Sequence, residues 1–403
     1  MKINNALLVL SPIVLTACGD VFEPQLEDKH DAVLPPIIAA GESRSSLDNA
    51  NTPPDAVGSF HASGASTYAY VTNSRANTVS VIDQSTLTVT NEIPVGERPV
   101  GLWPAPDGSA VYVANQIGGT LSRIDVTSLS VTATVPVGTR PTAVGGARNG
   151  SFVYVSREGP TSGIVVLNTQ TLAASAFIPT DSIPADLVVT RDGAQLYAPA
   201  YFDGTVHEIS TADNSVLRTL SVGANPLATT LTPDESRLWV PTFSDDEVAV
   251  VDLSSFAVVN TISGFSLPLD IAFSEDGSLA YVTGNQLGVH EVSVVDVAGG
   301  AIAGTIDVGG IPTTVTRSPN DGSIWVVNFF ADNIAIIDVT SGTVSATIPV
   351  STEPLFVAFV PRTPLERVQQ AMDIVQSLRD AGNLSPTAGV QAPAAIDVDS
   401  EPD

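Results

Sequence analysis

A chain of 403 residues, 43% of them apolar, is long enough to bury roughly three quarters of its unfolded surface in a large core. Its 43 acidic residues against 16 basic ones give a formal charge of -27, which repels phosphate backbones and argues against a nucleic-acid partner. A single cysteine excludes disulfides and CxxCH haem attachment, and no cofactor or metal is expected, the four histidines standing at unrelated positions.

The N-terminus, MKINNALLVLSPIVLTACGD, has one lysine, an apolar stretch from Ala6 to Leu15 and then small residues, the layout of a secretory signal too short to span a bilayer. Leu15-Thr16-Ala17-Cys18 resembles a bacterial lipobox, in which the cysteine is lipidated and begins the mature chain. The resemblance implies a signal peptide over 1–17, membrane attachment through Cys18 and a cell-envelope location; Gly19, rather than Asp, after the cysteine implies outer-membrane sorting. Residues 18–55, rich in Pro, Ser, Asp and Asn, read as a flexible tether.

Beyond the tether the chain repeats itself. Aromatic residues recur in register at Tyr70, Tyr112, Tyr154, Tyr197, Trp239, Tyr281 and Trp325, and prolines at Pro99, Pro141, Pro184, Pro226, Pro268, Pro312 and Pro354. Two independent markers thus count seven units of about 42 residues. Each unit holds four strand signals separated by turn residues, in the first unit YVTN, TVSVID, TNEIPV and PVGLWPAP. The pattern predicts an all-β, seven-bladed β-propeller over 56–361 built of four-stranded blades. Asp83, Asp125, Asp252, Asp296 and Asp338 are placed to accept from turn amides, with Asn168 and Ser210 departing from the pattern. Gly96, Gly138, Gly223 and Gly309 suit turns of positive φ.

These residues resemble the YVTN family of bacterial β-propeller repeats, which occurs in secreted, surface-layer and lipoprotein contexts and shares no single catalytic constellation; the match covers roughly Tyr68 to Val360. Ring closure has two candidates, LFVAFV after Pro354 and AVGSFHA before Tyr70, and the more apolar C-terminal one fits the register. Thr363-Pro364-Leu365-Glu366 is a capping box that opens an amphipathic helix over 362–382, followed by an acidic disordered tail over 383–403.

Candidate sites are sought where the repeat breaks its own rule. In blade 4, His207 and Glu208 replace small and apolar residues at the strand that reads VSVID in blade 1, as Arg123 does in blade 2; they read as a site or as a solvated strand end. At the mouth of the central channel Arg98 and Arg140 stand beside the repeated prolines, with Asp186 and Asp270 two residues after theirs, either a rim for a small polar ligand or a self-neutralising set. Four residues after the blade-start aromatics come Tyr201, Phe243 and Phe329, with Phe202 and Phe330 beside two of them, an expected exposed aromatic surface. The stretch SPNDGSIW, Ser318 to Trp325, only faintly resembles a sialidase Asp-box, because Asn320 replaces the aspartate. Two functions follow: a lipid-anchored envelope propeller that binds a protein or glycan partner, or a lactonase-like hydrolase or lyase with its site at the channel mouth.

Overall fold

The computed structural model describes residues 68–159, 161–180, 182–284 and 290–360. The expected signal peptide, Cys18, tether, helix and tail lie outside the described residues. Contacts divide the chain into Met1–Pro361 and Arg362–Asp403, and every described residue belongs to the first unit.

Seven antiparallel four-stranded sheets follow one another around a ring. Blade 2 is typical: innermost strand Pro99–Pro104, then Ala110–Asn115, Thr120–Asp125 and outermost Ser130–Pro136. Blade 1 takes its three outer strands from Tyr68–Asn73, Thr78–Asp83 and Thr88–Pro94 and its innermost from Pro354–Val360, pairing Tyr68 with Val360. The C-terminal LFVAFV therefore closes the ring, joining the two ends of the propeller chain.

The YVTN stretch explains itself physically. Tyr70, Tyr112, Tyr154, Tyr197, Trp239, Tyr281 and Trp325 are all buried, because the sheets stand radially and each face packs on a neighbouring blade. Trp239 meets Phe273 of blade 6 edge-on at 5.2 Å between centroids, and Trp325 meets Phe359 of blade 1 in the same way. Thr72 donates to Val100 O of blade 2 (2.8 Å) and accepts from Phe356 N, tying two blades together. Asn73 Nδ2 donates to Thr78 Oγ1 and Ser80 Oγ, and Asn115 does the same to Thr120 and Ser122, pinning each hairpin.

The turn aspartates behave as expected. Asp83, Asp125 and Asp338 accept from the amides of Ser85, Ser128 and Ser341, and Asn168 from those of Gln170 and Thr171. In blade 4, where Ser210 breaks the pattern, Asp213 takes over by accepting from Ser215. In the SPNDGSIW stretch Asp321 accepts from Ser323, an ordinary turn. Among the pre-proline glycines, Gly138, Gly223 and Gly309 take φ of 105, 135 and 75°, but Gly96 does not. Its missing Cβ instead leaves room for the Asn115 side chain.

Blades 4 and 5 carry a local defect with a simple cause. Their second strands read YAPA and WVPT, so Pro199 and Pro241 lack the N–H that would return a hydrogen bond to the innermost strand. Ala185 N still donates to Pro199 O and Leu227 N to Pro241 O, but the regular innermost ladders shrink to Val188–Val189 and Thr230–Leu231.

Candidate functional site

Strand direction sorts the loops. An innermost strand and its successors alternate in direction, so the loops between second and third strands lie at the same end as the turns that enter the next innermost strand. That end carries the loops 74–77, 116–119, 201–204, 243–246 and 329–332 and the residues before the prolines, and we call it the loop face. The Asp-Gly turns and both ends of the propeller chain, at Tyr68 and Val360, lie at the opposite end.

On the loop face the aromatic expectation is corrected. Tyr201 and Phe329 are buried and Phe243 is half-buried. Tyr201 packs with Ile183, Ala185 and Leu227 beside the entrance to the innermost strands, and this burial pushes its phenol up to about 12. Phe329 belongs to the core that holds Leu355 and Phe356. The residues exposed instead are their neighbours: Phe202 (47%) and Phe330 (51%), each edge-on to the buried ring, with Ile117 (57%) at the same loop position in blade 2. Ile117 is aliphatic and so lies outside the aromatic pattern; aligning the second loop residue across blades, Arg75, Ile117, Phe202, Ser244 and Phe330, brings it out.

The residues before the prolines form the inner ring of this face. Arg98, Arg140, Leu267 and Glu353 hold φ of 54, 47, 51 and 55°, a left-handed conformation that makes the sharp entry into each innermost strand. Arg98 N donates to Asn77 Oδ1, and Glu353 N to Asp332 Oδ1, so the loop of the preceding blade braces the turn. The charges sit on three consecutive blades: Glu353, Arg98 and Arg140, then Glu158, which pairs with Arg140 at 2.9 Å. Burial lowers the Arg98 pKa from its usual value, Glu353 opposing that fall and Arg140 adding to it. Arg75 reaches Glu353 at 3.3 Å. Glu353 precedes Pro354 as Arg98 and Arg140 precede their prolines, and Glu158 follows the second strand of blade 3 on the loop face.

Asp186 and Asp270 are not on this rim, a second correction. Both are buried within the innermost strands, where each joins two blades. Asp186 accepts from its neighbour Leu187 N (2.6 Å) and from Thr229 N and Oγ1 of blade 5 (2.8 and 3.0 Å). Asp270 accepts from Ile271 N (2.8 Å) and from Val315 N of blade 7 (2.9 Å). Edge-strand amides facing the axis have no ladder partner, and these carboxylates supply one. Burial lifts both pKa values, that of Asp270 to about 7 and that of Asp186 well above the usual range, with Asp270 adding to the rise of Asp186.

His207 and Glu208 do not stand at a solvated strand end, since both are buried. Glu208 accepts from Tyr197 Oη (3.0 Å) and from Nη2 of Arg218 (2.8 Å), and Arg218 lies over the Phe256 ring of blade 5. His207 Nδ1 meets Thr219 Oγ1 at 2.9 Å. The charge is paired and spans two blades, as a buried carboxylate requires. Arg123 donates to Thr132 Oγ1 on the outermost strand of its own blade. Among the described residues no three His, Cys, Asp or Glu side chains are grouped to hold a metal ion.

Residues 44–144 match the family described as YNCE-like beta-propeller. No curated protein matches the chain. Solved structures with the same fold include a functionally unknown protein from Desulfotomaculum acetoxidans DSM 771, at 17% identity and TM-score 0.65 over 73% of this chain and 99% of that one. Hydrazine synthase from Kuenenia stuttgartiensis is similar at 20% identity and TM-score 0.61, over 67% of this chain and 92% of that one. The dihydro-heme d1 dehydrogenase NirN, in complex with DHE, aligns at 16% identity and TM-score 0.58, over 72% of this chain and 74% of its own. At such identities the likeness is one of fold. The protein is a seven-bladed β-propeller, similar over residues 44–144 to the YNCE-like propellers.

Proposed function

We propose that the protein is a lipid-anchored bacterial envelope scaffold that binds a protein or glycan partner through the loop face. The observation that carries this reading is the exposure of Ile117, Phe202 and Phe330 at one loop position on three blades, at the end opposite Tyr68 and Val360. Large apolar side chains held in solvent by a rigid scaffold suit a partner surface. The flexible tether expected over 18–55 would enter the propeller on the side of Tyr68 and so leave the loop face unobstructed. The enzyme reading gains no support from the channel wall, because the oxygens of Asp186 and Asp270 are already engaged by backbone amides.

The test has two arms. Cys18→Ser should move the protein from the membrane fraction to the soluble envelope fraction. Ile117→Ser, Phe202→Ser and Phe330→Ser together should abolish capture of an envelope component that the wild type retains, with the thermal transition unchanged. Equal capture by the triple variant would refute the loop-face assignment.

A further inference from the structure

Blade 3 departs from the repeat at a set of positions on one face of its sheet. In blades 1 and 2 the second strand ends on Asn73 or Asn115, which donates to Ser80 or Ser122 of the third strand. Those serines in turn meet Glu92 and Thr134 on the outermost strand. In blade 3 the same three places hold Arg157, Val165 and Phe177. The polar pin is gone, and the Arg157 guanidinium lies over the Phe177 ring instead, 4.3 Å from its centroid. A fourth departure stands beside them. Each outermost strand pairs with the third across one β-bulge, and the residue just before the bulge is Val89, Val131, Val216, Val258, Ile302 or Val344 in the six other blades. In blade 3 it is Ala174, opposite Leu167.

These exchanges leave a groove of about 460 Å³ between blades 2 and 3, walled by Arg157, Val165, Ala174 and Phe177 and by Pro136 and Val137 of blade 2. Its size suits a small molecule. Gly138 makes room for the arginine, since a Cβ there would come within 2.7 Å of Nη1. Among the described residues Arg157 makes one hydrogen bond, from Nη2 to Thr161 Oγ1 (3.0 Å), and its buried Nε has no acceptor. No carboxylate among them pairs with it, whereas Arg75, Arg140 and Arg218 all meet glutamates. The neighbouring Glu158 is held by Arg140, and no acidic side chain lines the groove. We propose that this groove binds an organic monocarboxylate with an apolar body. The carboxylate meets in-plane donors of Arg157, which stacking on Phe177 leaves free, and the body fills the space that Ala174 opens beside Val165 and Val137. A phosphate is disfavoured, because one guanidinium among apolar walls in a chain of net charge -27 does not balance a dianion. A sugar is disfavoured too: the hydroxyl of Ser175 in the lining already donates to Val166 O (3.1 Å), so the sugar's own hydroxyls would lack partners there. The groove shares no residue with the loop-face surface, and each reading stands or falls without the other.

The same chemistry is offered by a free acid and by the C-terminal carboxylate of a peptide with an apolar last residue. Calorimetric titration of the full chain in non-ionic detergent therefore uses phenylacetate in one arm and a tripeptide ending in phenylalanine in the other, each beside its amide. The proposal expects at least one of the two carboxylates to bind and both amides to fail; the arm that binds names the source. Ala174→Val restores the aliphatic residue of the other blades, keeps Arg157 and the ring, and should fold with an unchanged or higher midpoint, yet bind at least tenfold more weakly. Arg157→Gln should abolish binding. Absence of binding by both acids at millimolar concentration, equal affinity for acid and amide, or equal affinity of wild type and Ala174→Val would each overturn the assignment.

Discussion

Replacing Asp270 by Asn should make the protein less stable in acid and leave it nearly unchanged at pH 8. The carboxyl is buried, and its pKa rises from the ordinary 3.8 to about 7 because burial penalises the charge more than the amides of Val315 and Ile271 favour it. A raised acid pKa means that the folded state binds the proton more tightly, so this group contributes most below pH 3.8 and loses that contribution as pH climbs through 7. Integrated between pH 5 and pH 8, the loss is on the order of 3 kcal/mol. Asn removes the titration but offers one acceptor where the structure uses two, leaving one amide unsatisfied at a cost of about 1–3 kcal/mol. The substitution should therefore cost about 1–3 kcal/mol at pH 5, and the two effects should nearly cancel at pH 8. Urea unfolding of both proteins at pH 5, 6.5 and 8, with midpoints compared at constant slope, measures this. A wild-type-to-variant difference that is the same at pH 5 and pH 8 would show that Asp270 does not titrate between them, and the reasoning from burial would fail.

Glu208→Gln should cost about 1–3 kcal/mol, because it breaks a charge-assisted bond to Arg218 and leaves Tyr197 a weaker acceptor. Since the bond to Arg218 lowers the Glu208 pKa, the pair stabilises above pH 4.5 and is lost as pH falls below that, so the variant should be the less pH-sensitive of the two between pH 5 and pH 3 in thermal melts. Asn73→Ala should lower the unfolding free energy, followed in urea, by about 1–3 kcal/mol through loss of the bonds to Thr78 and Ser80. Gly146→Ala would drive a methyl group into the Trp103 ring, and calorimetry should register about 1–3 kcal/mol of overpacking.

The architecture was legible in the sequence because repetition multiplies weak signals. One Tyr-Val-Thr-Asn is ambiguous, but seven aligned aromatics and seven aligned prolines leave no other arrangement. The candidate site was less legible because sequence gives position within a blade but not depth. Tyr201 and Phe202 are adjacent, yet one closes the core and the other faces solvent. Asp186 and Asp270 lie two residues from a rim turn, yet at that distance the innermost strand has already left the surface and an aspartate there meets the backbone of the next blade. Glu208 looked like an unpaired charge because its partner, Arg218, stands on the next strand and is visible only through the register across the bulge.

The same repetition separates scaffold from function in a second way. A residue type that recurs in register performs a backbone task, as Asn73 and Asn115 do, and its loss should appear as lower stability. A departure that restores the lost contact by another route, such as Asp213 for the missing turn acceptor in blade 4, remains scaffold. What is left is departure without restoration. Ile117, Phe202 and Phe330 expose carbon where Arg75 and Ser244 stand in other blades. Removing these side chains should cost little stability, because they bury little area in the monomer. A functional loss at these positions without a stability loss would therefore be the signature of contact with another molecule, whereas a fall in the unfolding midpoint would return them to the scaffold.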